Sequence, residues 1–450
     1  MIRFKQTILV VLLLITVSAT AQERWSLQQC IDYALENNIT VKQQQLNSEY
    51  YSNQLRQARN NRLPSLSGNL SNSFNFGRSQ QADGTYDVIN SNSTDGSFSA
   101  SFVLLNGLIL TNSAKKADFD FQSKLQDLQK AKDDLMLNIA AAYLSILLDD
   151  ELIQVAKDQM EVTRLQADRT TKLVKAGSIA KGSLLEIEAQ LANEELNLVE
   201  AENNQQLAYL NLYQMLELPS TQSFVIDRPV LPVITANRTM LNSMEVFKNA
   251  VQMRPEIKSA ELLLESSKKQ VSIAQGTLYP SLSMGANYYN VYNNKYYYGR
   301  TSLDDPLVRI PFDEQFKNNR RYSVGFNLNI PIFNKLQART DVSNAKIDLL
   351  NKELDVQNTK NLLRKDIEQA YTNAVAALKK YMASSKAVES MQEAFRYTEE
   401  KFNVGMVNSV EYNQAKNNLT KAQSDLAQSK YDYIFRTKIL DFYNGTPIEL

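Results

Sequence analysis

The chain contains no histidine and a single cysteine, Cys30, among its 450 residues. Without histidine, His-based catalytic triads and His-ligated zinc are excluded, and a single thiol excludes thiolate metal clusters and internal disulfides. We expect Cys30 to be a small apolar residue on a helix, since free cysteines are usually buried. A glycine-rich phosphate loop and a paired nucleophile and base are also missing, so the sequence predicts neither an enzyme nor a cofactor nor a metal site.

The chain also lacks net charge, because Lys plus Arg and Asp plus Glu number 49 each. Nothing in this balance would attract nucleic acid. The 13 glycines and 10 prolines are few for this length, and the charged residues are mixed, which argues against disorder.

The N-terminus has the pattern of a secretory signal. Basic residues precede an apolar run at 8–17, and a small-x-small cleavage site ends at Ala21. The run is shorter than the roughly 20 residues of a membrane-spanning helix. We therefore expect residues 1–21 to be a signal peptide and the mature chain to be exported.

Four short stretches alternate apolar and polar residues with a period of two, at residues 65–76, 97–104, 281–292 and 322–332. Because successive side chains of a strand point to opposite faces, each stretch predicts a β-strand with one apolar and one polar face. The polar face carries serine and asparagine rather than charge. The lengths are near the roughly 9–11 residues that a tilted strand needs to cross a bilayer.

The sequence is internally duplicated. Residues 34–42 match residues 250–258 at an offset of 216, which becomes 228 beyond the first strand and 226 after the last glycine turn. The 12 extra residues fall between the two strands of the second half, where an exposed loop can lengthen freely. The predicted division of the mature chain is a first repeat at 22–217, a linker with a short extra strand at 218–240, a second repeat at 241–443 and a tail at 444–450.

Each repeat is predicted to run as helix, strand, loop, strand, long helix, tight turn and helix. The leading helix is expected over 27–62, since a proline follows it. The long helices are expected over 110–175 and 336–404, and each ends at a glycine suited to a left-handed cap. At 1.5 Å per residue, about 65 residues make a rod of roughly 100 Å. A seam of residues spaced four and three apart along the first long helix favours coiled-coil packing.

Four strands per chain are too few to close a membrane barrel, since single-chain barrels begin at about eight strands. An open edge in lipid would leave backbone groups unpaired at a cost of several kcal/mol each. Copies of the chain are therefore expected to share one barrel, of eight strands from two copies or twelve from three. The predicted fold class is mainly α, duplicated, with long coiled-coil helices and four strands per chain in a shared β-barrel.

The order of elements, the duplication and the glycine turns resemble the TolC-type outer-membrane efflux family over nearly all of the mature chain. The most specific marks are Ala34-Leu35-Glu36-Asn37-Asn38, Ile330-Pro331-Ile332-Phe333-Asn334 and Phe402-Asn403-Val404-Gly405-Met406-Val407. The resemblance implies a homotrimer with a twelve-stranded barrel in outer-membrane lipid and a long α-barrel in the periplasm. It also implies two partners, a periplasmic adaptor (membrane fusion) protein and an inner-membrane pump of RND or ABC type.

The resemblance further implies site residues at the helix turns. The tip turns that would contact the adaptor are Gly177, Ser178, Gly405, Met406 and Val407. Of the family's two acidic gate positions, the first falls on Glu411 and the second on the uncharged Gln414.

The family's gate arginine and tyrosine fall on Val407 and Phe402, and the acidic position of the first half falls near Leu185. We therefore expect a closed gate held by packing rather than by salt bridges. Glu411 has two interpretations, a lumen-facing acid or a solvated acid on the helix surface.

The leading functional hypothesis is a passive exit duct of the outer membrane, carrying efflux or secretion from the periplasm to the exterior. The alternative is an exported trimeric coiled-coil structural or surface protein without channel activity.

Two loop features have competing interpretations. A tyrosine cluster (Tyr288, Tyr289, Tyr292, Tyr296, Tyr297 and Tyr298) predicts a membrane-interface belt and extracellular loop rather than ligand stacking. An acidic group (Asp304, Asp305, Asp313 and Glu314) predicts a solvated loop rather than a cation site.

Overall fold

The computed structural model describes residues 24–80, 86–88, 90–219, 224–231, 234, 242–299 and 306–448. The predicted signal peptide, most of the predicted linker after residue 231, and Asp304 and Asp305 lie outside these ranges. The chain divides into two compact units. The helical unit comprises Met1–Asn47, Leu125–Ser259 and Gln357–Leu450, and the sheet unit comprises Ser48–Lys124 and Ala260–Val356.

The first repeat contains β1 (Arg24–Trp25), α1 (Leu27–Asn37), α2 (Ile39–Asn60), β2 (Ser65–Asn75), β3 (Arg78–Gln80), β4 (Tyr86–Val88), β5 (Ser91–Asn106), α3 (Ile109–Lys175) and α4 (Lys181–Leu216). After the strand β6 (Val225–Ile226), the second repeat contains α5 (Ser243–Met253), α6 (Pro255–Gly276), β7 (Ser281–Asn293), α7 (Phe312–Asn318), β8 (Arg321–Asn329), α8 (Gln337–Asn403) and α9 (Ser409–Tyr443).

The four predicted strands form one antiparallel sheet in the order β2-β5-β7-β8. Its register places apolar residues opposite one another, with Ala100 between Leu66 and Ala286, and Ala286 next to Val324. The intervening positions align polar residues, and the Ser65 and Ser101 hydroxyls lie 2.8 Å apart. Cross-strand neighbours share a face, so the sheet has one apolar face and one polar face that is mostly serine and asparagine, as the alternation predicts. The polar face also includes Asp95 and Arg321.

Two strand ends differ from the prediction by three residues or more. β5 begins at Ser91 rather than residue 97, because its polar first residues pair with β2 on one side and largely with β7 on the other. β8 ends at Asn329, short of the predicted Ile332, since Pro331 has no N–H to donate to a ladder.

The single leading helix predicted over 27–62 is wrong, because the structure divides it at Asn38, which has an extended backbone (ψ 130°). The Asn38 side-chain oxygen accepts from the N–H of Thr40 at 2.9 Å and Val41 at 3.3 Å, so it caps α2. The second repeat breaks at the equivalent Arg254 (ψ 129°), where Pro255 follows. The two halves therefore share one break made by different chemistry, which supports the duplication.

The long helices agree with the prediction to within one residue at each end, and α3 and α8 contain 67 residues each. The seam of α3 supplies buried residues to the helical unit, namely Ile139, Ala142, Ile146, Ile153, Thr163, Ala167 and Thr170. The predicted extra strand of the linker is confirmed as β6, which pairs in parallel with β1. Among the described residues, no helix combines the length and the hydropathy that a membrane span requires.

Candidate functional site

Two glycine turns connect the long helices to the helices that follow them. Gly177 after α3 has φ +74° and Gly405 after α8 has φ +77°. In the first turn, the N–H of Ser178 donates to Leu173 O at 2.9 Å, and the N–H of Gly177 donates to Val174 O at 3.0 Å. The second turn repeats this pattern, which is the Schellman motif with glycine in the left-handed position.

The space around these glycines is open, since a Cβ added at Gly177 or Gly405 would meet nothing within 4 Å. Glycine is therefore required here by backbone conformation rather than by close packing. Ser178 is exposed and Val407 is half-buried. Met406, which is 74% exposed, presents an apolar side chain at the second turn.

Glu411 lies in the first turn of α9 and is exposed in the single chain. Its backbone N–H donates to the side-chain oxygen of Asn408, the N-cap residue, at 2.9 Å. Its carboxylate accepts from the Asn408 amide at 3.4 Å, and an acid at this position is stabilised by the helix dipole. Gln414 is also exposed and donates to Asn418 one turn further along α9 at 3.1 Å. The Glu411 carboxylate thus contacts the residue that caps α9, while the direction it faces in an assembly stays a prediction.

Phe402 packs within its own pair of helices. Its ring stacks on Tyr412 of α9, with centroids 4.7 Å apart and an interplanar angle of 30°. Phe395 contacts the same tyrosine at 5.4 Å. Burial raises the pKa of Tyr412 to about 12, and the charge of Glu399 adds to this shift. The aromatic stack is a packing contact, at a position where the family resemblance implies a polar latch.

Polar contacts link the helix pair of the first repeat to that of the second. The Ser409 hydroxyl of α9 donates to the Glu186 carboxylate of α4, and the Arg169 guanidinium of α3 donates to Asn403 at the end of α8. Leu185, next to Glu186, is exposed. The first repeat thus offers an acid one residue beyond the position that the resemblance indicates.

A buried ion pair lies further along the same helices. Lys416 of α9 is 1% exposed, and its ammonium lies 3.1 Å from the Glu194 carboxylate of α4. It also donates to the Gln159 carbonyl of α3 at 2.7 Å and to the Thr163 hydroxyl. Burial lowers the pKa of Lys416, and the Glu194 charge opposes that shift. Because both charges are buried, removing only one would leave the other without compensation.

Sequence reasoning missed this pair and the Ser409–Glu186 contact. Thr163 is a polar residue in the predicted seam of α3, which was a signal that a buried polar partner existed. The sequence offers nothing that would select Lys416 or Glu194 among its 98 charged residues, because their contact depends on how α4 and α9 pack. The expectation that packing holds a closed gate concerns an assembly and stays a prediction.

Duplicated helices that turn at paired glycines, combined with an amphipathic four-stranded sheet, define a class of outer-membrane channel proteins. The chain belongs to the outer membrane efflux protein family, whose model matches residues 30–217 and 246–442. The match confirms the predicted family, and its two segments agree with the internal duplication.

Relatives of known name share low identity over most of their length. The chain is 23% identical to the outer membrane protein TolC of Vibrio cholerae over 83% of this chain and 80% of the relative. It is 24% identical to TolC of Escherichia coli over 91% of this chain and 80% of the relative. The alkaline protease secretion protein AprF of Pseudomonas aeruginosa is 22% identical over 73% of this chain and 63% of the relative.

Solved structures show the same fold. The outer membrane protein VceC of Vibrio cholerae aligns with a TM-score of 0.77 at 15% identity, covering 94% of this chain and 97% of that one. The outer-membrane channel OprN aligns with a TM-score of 0.76 at 18% identity, covering 93% and 89%. The predicted fold class, helical with a β part and internally duplicated, is therefore confirmed, and the protein is an outer-membrane channel of efflux or secretion systems. Its family consists of channels rather than enzymes.

Proposed function

We propose that the chain is a passive, non-enzymatic exit duct that works as a homotrimer. It would span the outer membrane, extend its helices into the periplasm, and receive cargo through a periplasmic adaptor from an inner-membrane pump of RND or ABC type. The main support for this proposal is the amphipathic sheet, which has one apolar face and whose end strands, β2 and β8, each have an unpaired outer edge in the described chain.

The two end strands explain why copies would associate. In the described chain, β2 pairs with β5 alone and β8 with β7 alone, so each has an outer edge. Backbone groups left unpaired in lipid cost several kcal/mol each. Pairing β8 of one copy with β2 of the next removes every edge once the ring closes. Three copies of the four-stranded sheet give twelve strands, enough for an aqueous interior, whereas eight would be filled by side chains.

The two faces of the sheet suit the two solvents of such a barrel. Apolar side chains such as Leu70, Phe326 and Leu328 are more than half exposed in the single chain and would face lipid. The opposite face carries mostly serine and asparagine, together with one acid, Asp95, and one base, Arg321, so it binds water and has no net charge. The barrel part of the lumen would therefore be weakly selective, and a preference for cations would arise at the Glu411 ring.

The glycine turns supply a surface for the adaptor. Val404, Met406 and Val410 are between 62% and 74% exposed around the second turn, and Ile179 is exposed at the first. Apolar side chains grouped at a tip are typical of a protein-binding surface. Together with Gly177, Ser178, Gly405 and Val407, they form the proposed adaptor contact.

Residues after the second turn form the proposed gate. Glu411 would place one carboxylate per copy around the entrance, with Gln414 one turn deeper and the Phe402–Tyr412 stack packing the helices behind them. The chain would reach this position after export, with residues 1–21 removed as a signal peptide and the repeats bounded as the sequence predicts.

The proposal is tested by reconstituting the purified chain in planar bilayers and measuring its mass in detergent. A trimer that conducts ions supports the duct. A monomer that stays soluble without detergent and does not conduct would contradict it and favour the structural-protein alternative.

The gate assignment predicts a change in ion selectivity. Glu411→Gln removes the ring of negative charge but keeps the Asn408 cap, so the channel should lose preference for cations while remaining folded. Reversal potentials across a salt gradient measure this change. Glu389→Gln, which neutralises an exposed acid on α8, is the control and should leave selectivity unaltered. Equal behaviour of the two variants would place Glu411 away from the lumen.

A further inference from the structure

The loop between β7 and β8 contains a short helix, α7, packed on the far end of β7. β8 pairs with β7 only as far as Tyr289, which lies opposite Arg321. Beyond that pair, the described part of β7 has no β8 residue beside it. The Asn290 amide donates to the carbonyl of Phe316 at 2.8 Å, so α7 lies over the side of β7 on which Asn290 projects.

Side-chain amides from α7 and the residue after it bond the backbone of β7 where β8 has ended. Gln315 accepts from the N–H of Asn293 at 2.9 Å and donates to its carbonyl at 3.0 Å. Asn319 donates to the carbonyl of Val291 at 2.6 Å. Gln315 is 1% exposed, so these bonds are shielded from water. They fix α7 against β7 by directional contacts, and the exposed surface of α7 has a defined orientation.

That exposed surface is aromatic. Phe312 and Phe316 lie one helical turn apart, with ring centroids separated by 5.8 Å, and are 60% and 49% exposed. The Phe312 ring contacts Tyr292 of β7 at 5.3 Å. Helical geometry places Glu314 and Lys317 toward the opposite side of α7, with Asp313 at its flank. α7 is therefore amphipathic, despite its seven residues.

The aromatic surface continues the apolar face of the sheet. Tyr292, Tyr288 and Met284 lie on the same face of β7, since they are separated by even numbers of residues along the strand. Tyr288 contacts Tyr322 of β8 at 5.2 Å on that face. Asn290 lies between Tyr288 and Tyr292 on this face, but it is 6% exposed and bonded to α7. The exposed apolar surface thus runs through Tyr288 and Tyr292 to Phe312 and Phe316.

We propose that α7 is an interfacial anchor, which inserts Phe312 and Phe316 into the lipid bilayer at the loop end of β7. This inference rests on the proposed function, since it requires that the apolar sheet face contact lipid. Aromatic side chains favour the bilayer interface, and an amphipathic helix lies in that plane with its polar side toward water. The bonds of Gln315 and Asn319 would hold the helix at this depth.

Tryptophan fluorescence in bilayers of brominated phosphatidylcholine tests the anchor. The chain has one tryptophan, Trp25, which lies in the helical unit and gives the background signal. Phe316→Trp should show blue-shifted emission and lose intensity with bromines near the headgroup. Lys317→Trp, its neighbour on the polar side, should respond instead to acrylamide in the aqueous phase.

A third variant separates this inference from the proposed function. Phe326→Trp reports the apolar face of β8, where it should be quenched by bromines deep in the acyl chain. If Phe326→Trp is quenched but Phe316→Trp responds only to acrylamide, α7 stands in water and the anchor is refuted while the duct remains. If lipid quenches neither variant, the sheet is not in the membrane, and both proposals fail. Elution of each variant at the wild-type position confirms that it is folded.

Discussion

At the scale of single residues, two adjacent carboxylates of α3 have opposite environments. Asp150 accepts from the Arg228 guanidinium at 2.9 Å and from the Gln205 amide. Burial raises the pKa of Asp149 from 3.8 to about 6, and the charge of Asp150 adds to the shift. The folded state therefore retains a proton on Asp149 that the unfolded state releases at lower pH.

The sign of this shift predicts a stability change with pH. Between pH 4 and pH 6 the folded chain binds the extra proton, so stability falls as pH rises and the penalty is complete above about 6. Asp149→Asn should stabilise the protein at pH 7.5, by on the order of 1 kcal/mol for a partly exposed group, and change little at pH 4.

Thermal unfolding in detergent at the two pH values measures this difference. Asp150→Asn is the matched variant, and it should destabilise at pH 7.5 because it weakens the contact with Arg228. Equal effects of Asp149→Asn at both pH values would contradict the assigned shift.

The glycine turns predict a second residue-scale effect. Gly405→Ala places a Cβ on a left-handed backbone, which should cost roughly 1–2 kcal/mol although the surrounding space is open. Gly182→Ala is the control, since Gly182 lies in α4 with open space around it and an alanine there should stabilise by roughly 0.5–1 kcal/mol. Chemical denaturation of the two variants compares them, and a shared direction of change would refute the conformational argument.

At the scale of elements, helices and strands could be predicted from the sequence wherever a strong local signal was present. The period of two located the four strands, glycine located the C-terminal ends of the long helices, and proline located the end of the leading helical segment. The missed features depend on partners distant in sequence. The start of β5 at Ser91 has little apolar alternation and becomes a strand because β2 and β7 flank it. Asn38 ends α1 because its side chain caps α2 and its amide reaches Met215 O at 3.0 Å.

In the candidate site, too, features set by local sequence could be predicted and features set by distant partners could not. The turns at Gly177 and Gly405 could be predicted, because left-handed glycine after a helix is a local signal. The contacts of Glu186 and Lys416 could not, since each depends on the packing of helices from different repeats. The stack on Tyr412 could not either, because it depends on how α8 and α9 pack against each other.

The edge contacts of α7 predict an element-scale effect. Gln315→Ala leaves the backbone groups of Asn293 without these partners, and a buried unsatisfied polar group costs about 1–3 kcal/mol. The loop should become sensitive to proteolysis while the rest of the chain stays intact. Limited proteolysis of the reconstituted protein measures this, with Lys317→Ala as the control that should remain resistant. Unchanged cleavage of Gln315→Ala would show that its bonds do not hold α7.

At the scale of the whole molecule, neighbouring residues of β8 are expected to face different solvents. Val324 lies on the apolar face and Ser323 on the polar face. An arginine facing lipid at the midplane costs about 2–4 kcal/mol per copy. Val324→Arg should therefore reduce the yield of membrane-inserted assembly. Ser323→Arg should assemble normally and lower the conductance to cations.

Membrane fractionation and single-channel recording compare the two arginine variants. The comparison keeps the introduced charge and the strand constant, so any difference arises from the face alone. Equal insertion of both variants would mean that the sheet does not separate lipid from water.

The buried Lys416–Glu194 ion pair joins the two repeats, since Glu194 lies in the first and Lys416 in the second. At the 226-residue offset, Lys416 corresponds to Gln190 and Glu194 to Thr420, so neither half carries both charges at these positions. A ring assembled from six copies of one half would therefore bury either cations alone or anions alone at these sites. The two repeats share one fold, but this ion pair requires one residue from each of them. If the gene were split at the linker, channel activity should return only when both fragments are expressed together.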